Sequence, residues 1–142
     1  MKVGAYKGYV ISVLLRDEHC PPHVHVRGPA WDARFRFSFL NAQVALWDVD
    51  PERRRPPANV LEGIRQTIMQ RHYLARARRI WWEKLQTVCL DNHSWDWDAA
   101  EVLPGLIIQR GIYVIARARH DVAGQKTILN LVRAPGFVEI DL

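Results

Sequence analysis

A chain of 142 residues, 49% hydrophobic and 25% charged, has the material for one soluble globular domain, or for one domain with an appended hairpin. No apolar run approaches the roughly 20 residues of a membrane span, and residues 1–7 lack the apolar stretch of a signal peptide. The net charge of +5 is uneven: residues 51–86 carry +6, against +1 for residues 1–50 and −2 for residues 87–142. A polyanion would be drawn to that middle block, although a solvated helix face with a charged linker is the commoner meaning of such a pattern.

Residues 8–16 are β-branched and aromatic and read as a first strand. Residues 17–22 form a loop ending in Pro21-Pro22. Residues 23–27 then alternate with period two, which sends Val24 and Val26 to one face and His23 and His25 to the other. Gly28-Pro29 signals a turn. In residues 33–40, Phe35, Phe37 and Phe39 share one face, and Arg34, Arg36 and Ser38 share the other. Asn41-Ala42 marks the next turn and residues 43–49 a fourth strand. The N-terminal third therefore reads as a four-stranded antiparallel meander with one apolar face.

Residues 50–57 form a loop, with Pro57 suited to a first helical turn. Leu61, Ile64 and Ile68 follow at helical spacing. A second stripe, Leu74, Ala77, Trp81, Leu85 and Val88, points in a different direction on one ideal helix. The chain should break near Gln70–Tyr73, and Asn92 is the expected end of the second helix. Arg76, Arg79 and Glu83 lie across that helix from its apolar stripe. Residues 93–105 read as an acidic, aromatic connection. Strands are expected at about 106–109, 112–118 and 126–133, with a short one at 137–140. The fold class is α+β: an antiparallel meander, two helical segments on its apolar face, and a C-terminal β-meander. The division falls between residues 1–92 and 93–142, packed into one domain. Cys20 and Cys89 stand far apart in unlike contexts, so free thiols and a reducing cytoplasm are expected.

The histidines are the chemical signal. Three of the six, His19, His23 and His25, fall within seven residues. If a hairpin closes over Gly28–Trp31, His25 faces Arg34 and His23 faces Arg36. If the next closes at Asn41-Ala42, Arg36 faces Trp47. The predicted exposed face is then His23, His25, Arg34, Arg36 and Trp47. A His-x-His strand is also a metal-ligand spacing, with His19 as a third ligand. Two arginines repel a cation there, and a carboxylate joins only if the loop carrying Asp17 and Glu18 folds back. An anion suits the face better: arginine grips phosphate, histidine adds charge, and Trp47 offers a stacking platform. No metal and no cofactor are therefore expected.

The run Pro21-Pro22-His23-Val24-His25-Val26-Arg27-Gly28, followed by the alternating strand from Ala33 to Phe39, resembles the small bacterial domain family DUF4160. The resemblance covers roughly residues 8–90. It implies no established activity, and it implies a companion role in small two-gene, toxin–antitoxin-like or mobile-element modules. The resulting expectation is a cytoplasmic binding protein whose partner is nucleic acid or a cognate protein. Its binding residues would be His23, His25, Arg34, Arg36, Trp47, Arg76 and Arg79. The alternative is a metal-independent ribonuclease with His23 and His25 as acid and base and Arg36 on the phosphate.

Overall fold

The computed structural model describes residues 1–16 and 18–142. Asp17, one of the two loop carboxylates considered above, lies outside the described residues. The chain divides into two compact units, Met1–Leu85 and Gln86–Leu142. Among the described residues no helix is long and apolar enough to cross a membrane.

The first unit is α+β. Its sheet has five antiparallel strands in simple sequence order: β1 (Lys2–Tyr6), β2 (Tyr9–Ser12), β3 (His23–Arg27), β4 (Asp32–Phe37) and β5 (Val44–Asp50). Four of these were expected. The extra strand, β1, pairs with β2 through the two-residue turn Lys7-Gly8, both at positive φ. Such turns follow the twist of a hairpin, and Gly8 adopts its conformation without strain. The strand escaped notice because five residues containing Lys2 and Gly4 carry little β-propensity.

Alternation decides which face is buried. Val24, Val26, Ala33 and Phe35 are fully buried, and Phe37 and Phe39 nearly so. Two helices contribute the rest of this core, α1 (Ala58–Met69) through Leu61, Ile64 and Ile68, and α2 (Arg71–Leu85) through Leu74, Ala77, Ile80 and Trp81. The first stripe is buried as expected, and so are Leu74, Ala77 and Trp81 of the second, because the chain turns between them; Leu85 is only half-buried. Gln70 adopts an extended ψ of 133°, its N–H bonds to the Thr67 carbonyl, and its own carbonyl accepts the Leu74 N–H. Close approach of α1 to β1 requires Gly63: a Cβ there would stand 2.2 Å from the Tyr6 hydroxyl.

The second helix stops at Leu85, not at Asn92 as expected. Gln86 has φ 53°, a left-handed residue that ends the helix, so Val88 is buried beyond it. Arg78, within the basic cluster, is buried rather than presented to solvent. Its guanidinium donates to the Ser38 carbonyl at 2.8 Å and the Asn41 carbonyl at 2.7 Å, clamping the β4–β5 turn. Burial pulls its pKa down to about 10, so it remains charged at neutral pH.

The second unit is a five-stranded antiparallel sheet: β6 (His93–Asp96), β7 (Glu101–Pro104), β8 (Ile112–Asp121), β9 (Lys126–Leu131) and β10 (Val138–Asp141), in the order β10-β9-β8-β6-β7. These strands form a sheet of their own and do not extend the first. The stretch 93–105, expected as a connection, is a hairpin; its strands are short and include Asp96, Glu101 and Pro104, residue types that sheets disfavour. Residues 106–109 form no strand beyond the single bridge Gln109–Ile112. Buried Ser94 organises that loop, donating to the Gly105 carbonyl and accepting from the Ile107 N–H. Neither cysteine is a free thiol: Cys20 and Cys89 are both disulfide-bonded. A single cysteine pair carries no diagnostic spacing, and the thiol argument for a reducing compartment falls away.

Trp81 is the largest fully buried side chain and packs edge-on against Phe37 with ring centroids 6.0 Å apart. Trp81→Ala should destabilise the first unit by about 3–5 kcal/mol in urea unfolding. A loss below about 1 kcal/mol would show that this tryptophan is not the keystone of the core.

Candidate metal centre

The expected register between β3 and β4 is present: His23 pairs with Arg36 and His25 with Arg34. Both imidazoles project to the same side, their centroids 5.0 Å apart, opposite Val24 and Val26. The next pairing departs from expectation. Arg36 faces Ala45, not Trp47, because the β4–β5 register shifts between Arg34 and Phe35. Arg34 pairs with Asp48 and Phe35 with Leu46, so Trp47 is the extra residue of a bulge. The bulge brings Trp47 over Arg34, with the guanidinium carbon 4.0 Å from the ring centroid, and its ring to 5.1 Å from His23.

His23 is therefore not on an exposed surface. It is 1% exposed, with Trp47 and Trp81 both edge-on to it at 5.1 and 5.3 Å. Glu18, five residues ahead of β3, reaches both imidazoles. The Glu18 Oε2 lies 3.4 Å from His23 Nε2, and Oε1 lies 3.1 Å from His25 Nε2. The Glu18 side chain is only 4% exposed and that of His25 23%. The three ligand atoms of Glu18, His23 and His25 lie within 4.8 Å of one another.

Hydrogen bonding sets the lone pairs. The Pro21 carbonyl can only accept, so the His23 Nδ1–H donates to it, at 2.8 Å. Burial, above all, pushes the His23 pKa below its ordinary 6.5, which keeps the ring neutral at pH 7. Its Nε2 then presents a lone pair, not a proton, toward Glu18. The facing oxygen, Glu18 Oε2, is buried and has no hydrogen-bond partner among the described residues. No hydrogen bond joins these two atoms, 3.4 Å apart.

Of the two objections to a cation at this face, the missing carboxylate is answered and the repulsion by arginine is reduced. A carboxylate is present in Glu18. Arg34 is neutralised by Asp48, which accepts from its Nε at 2.8 Å and from its Nη2. Arg36 is exposed at the edge of the site. Two ligand atoms bound tetrahedrally at about 2.0–2.1 Å from an ion stand about 3.3 Å apart, which is the N–O separation found here. The Pro21 carbonyl on the far nitrogen of His23 is the kind of outer partner that orients metal-binding imidazoles.

The remaining expected site residues suit an anion less well. Trp47 has Arg34 stacked on it and offers no free platform. Arg76 is exposed but donates to the Val3 carbonyl at 2.8 Å, and Arg79 pairs with Glu83 at 3.3 Å. Of the two imidazoles in the expected ribonuclease arrangement, His23 is buried and His25 partly exposed. Cys20, being disulfide-bonded, is no nucleophile. Compared with protein-family models, with curated proteins and with solved structures, the chain matches none.

The Arg34–Asp48 pair is measurable alone. Its hydrogen bonds hold the Asp48 carboxyl below its ordinary 3.8. A carboxyl depressed in the folded state contributes stability above its unfolded pKa and loses that contribution as pH falls through the folded value. In a carbon-detected NMR titration Asp48 should titrate below 3.8, and Arg34→Gln should move it back up. An unshifted Asp48 in the wild-type chain would contradict the pairing.

Proposed function

We propose that residues 1–85 form a metal-binding module that holds one divalent transition ion, zinc foremost, on Glu18, His23 and His25. The observation that carries this is the buried Glu18 oxygen that has no hydrogen-bond partner among the described residues and lies 3.4 Å from His23 Nε2. One oxygen of that carboxylate is hydrogen-bonded to His25, but leaving the other buried without a partner is costly, and a cation shared with two imidazoles would satisfy it. Two nitrogens and one oxygen are a donor set for zinc or ferrous iron, and three protein ligands leave a coordination position open for a further ligand. The module is a binding protein in this reading, and the ion is its binding instrument.

Metal-free protein titrated with Zn(II) or Co(II) should take up one ion per chain, with affinity falling as pH drops and imidazoles protonate. Glu18→Gln and His25→Ala should each weaken binding at least tenfold while circular dichroism stays unchanged. Folded protein with no saturable uptake, or with uptake indifferent to both substitutions, would leave Glu18 as a simple hydrogen-bond partner of His25 and end the proposal.

A further inference from the structure

We infer that the ion's open position takes an oxyanion, a phosphate or carboxylate group that bridges the metal and Arg34. This rests on the metal reading above and names what that site would capture.

The approach to the ion is one-sided. Glu18 and His23 are closed off, and only His25 reaches solvent. His25 lines an open groove with Ser12, Arg27, Arg34, Asp48 and Asp50. A ligand must enter from there. The first side chain it meets beside His25 is Arg34, the direct cross-strand partner. Side chains opposite each other in an antiparallel pair start about 4.5–5.5 Å apart at Cβ.

Arg34 is built to receive rather than to search. Asp48 holds its Nε and Nη2, and the Trp47 ring packs on its face. The guanidinium plane is thus oriented before any ligand arrives, so little side-chain entropy is lost on binding. Among the described residues Nη1 has no hydrogen-bond partner, and Arg34 has five N–H donors in all. Asp48 engages two of those donors, and three remain for a ligand.

The charges point the same way. A divalent ion with one carboxylate and two neutral imidazoles keeps a charge of about +1. The pairs Arg34–Asp48 and Arg27–Asp32 cancel. Asp50 is the opposing charge, but it sits two residues beyond Asp48 on β5, about 6–7 Å along the strand. An anion with two oxygens on one centre satisfies both ends: one oxygen on the ion, the other on Nη1. Halide offers a single atom and cannot span the two.

The test uses the whole chain loaded with Co(II), whose visible absorption reports its ligands. Inorganic phosphate and acetate are titrated separately, with chloride as the ionic-strength control. Saturable spectral change with phosphate alone, or with acetate alone, supports the inference and says which group is the natural one. Arg34→Gln should weaken that response at least tenfold with Co(II) affinity unchanged, and Arg34→Lys, which keeps the charge without the fork, should fall between. Co(II) bound with a spectrum that neither anion moves, or an Arg34→Gln response equal to wild type, overturns the oxyanion inference and leaves the metal site standing. Folded protein that takes up no Co(II) removes both.

Discussion

A buried carboxylate oxygen of Glu18 and a buried imidazole nitrogen of His23, facing each other at 3.4 Å without a hydrogen bond, form the contact on which the rest of this site depends. In water such a meeting would simply separate. Here neither group can leave. His23 is held through its other nitrogen by the Pro21 carbonyl and wedged between two tryptophans, and Glu18 is carried in on a loop whose ends are fixed by β2 and β3. A low-dielectric pocket magnifies the electrostatic cost of the arrangement. A cation converts that cost into ligation.

The surroundings follow from the same requirement. A bound ion needs walls that exclude water, and Trp47 and Trp81 supply them from two different elements. The bulge that admits Trp47 also seats Arg34 against Asp48, so a full positive charge stands near the ligands without an unbalanced repulsion. The same pairing turns Arg34 from a competitor of the ion into a fixed donor beside it. On α2, Arg78 closes the β4–β5 turn, and Arg76 ties the helix to β1.

Much of the first unit was legible in the sequence because its signals are local. Period-two alternation in His23–Val26 and Arg34–Phe39, with a turn at Gly28-Pro29, determines a register, and that register is found. The two helical stripes differ in phase, which a break at Gln70 resolves. What escaped depends on distant residues. Burial of His23 requires Trp81, nearly sixty residues away, to reach the same strand end. The bulge at Trp47 inserts one residue without any glycine or proline to mark it. Glu18 was visible as a loop acid just before the histidines, but whether that loop folds back is a tertiary matter. The hairpin at residues 93–104 was hidden by acidic side chains that read as loop.

Protonation of the His23 ring is the most direct test. Long-range proton–nitrogen correlation NMR on the metal-free chain distinguishes the two nitrogens of each imidazole. The account predicts that His23 Nδ1 carries the proton and Nε2 is bare, and that one equivalent of Zn(II) shifts the Nε2 resonances of both His23 and His25. A proton on His23 Nε2 in the metal-free chain, or nitrogens that do not respond to zinc, would contradict it.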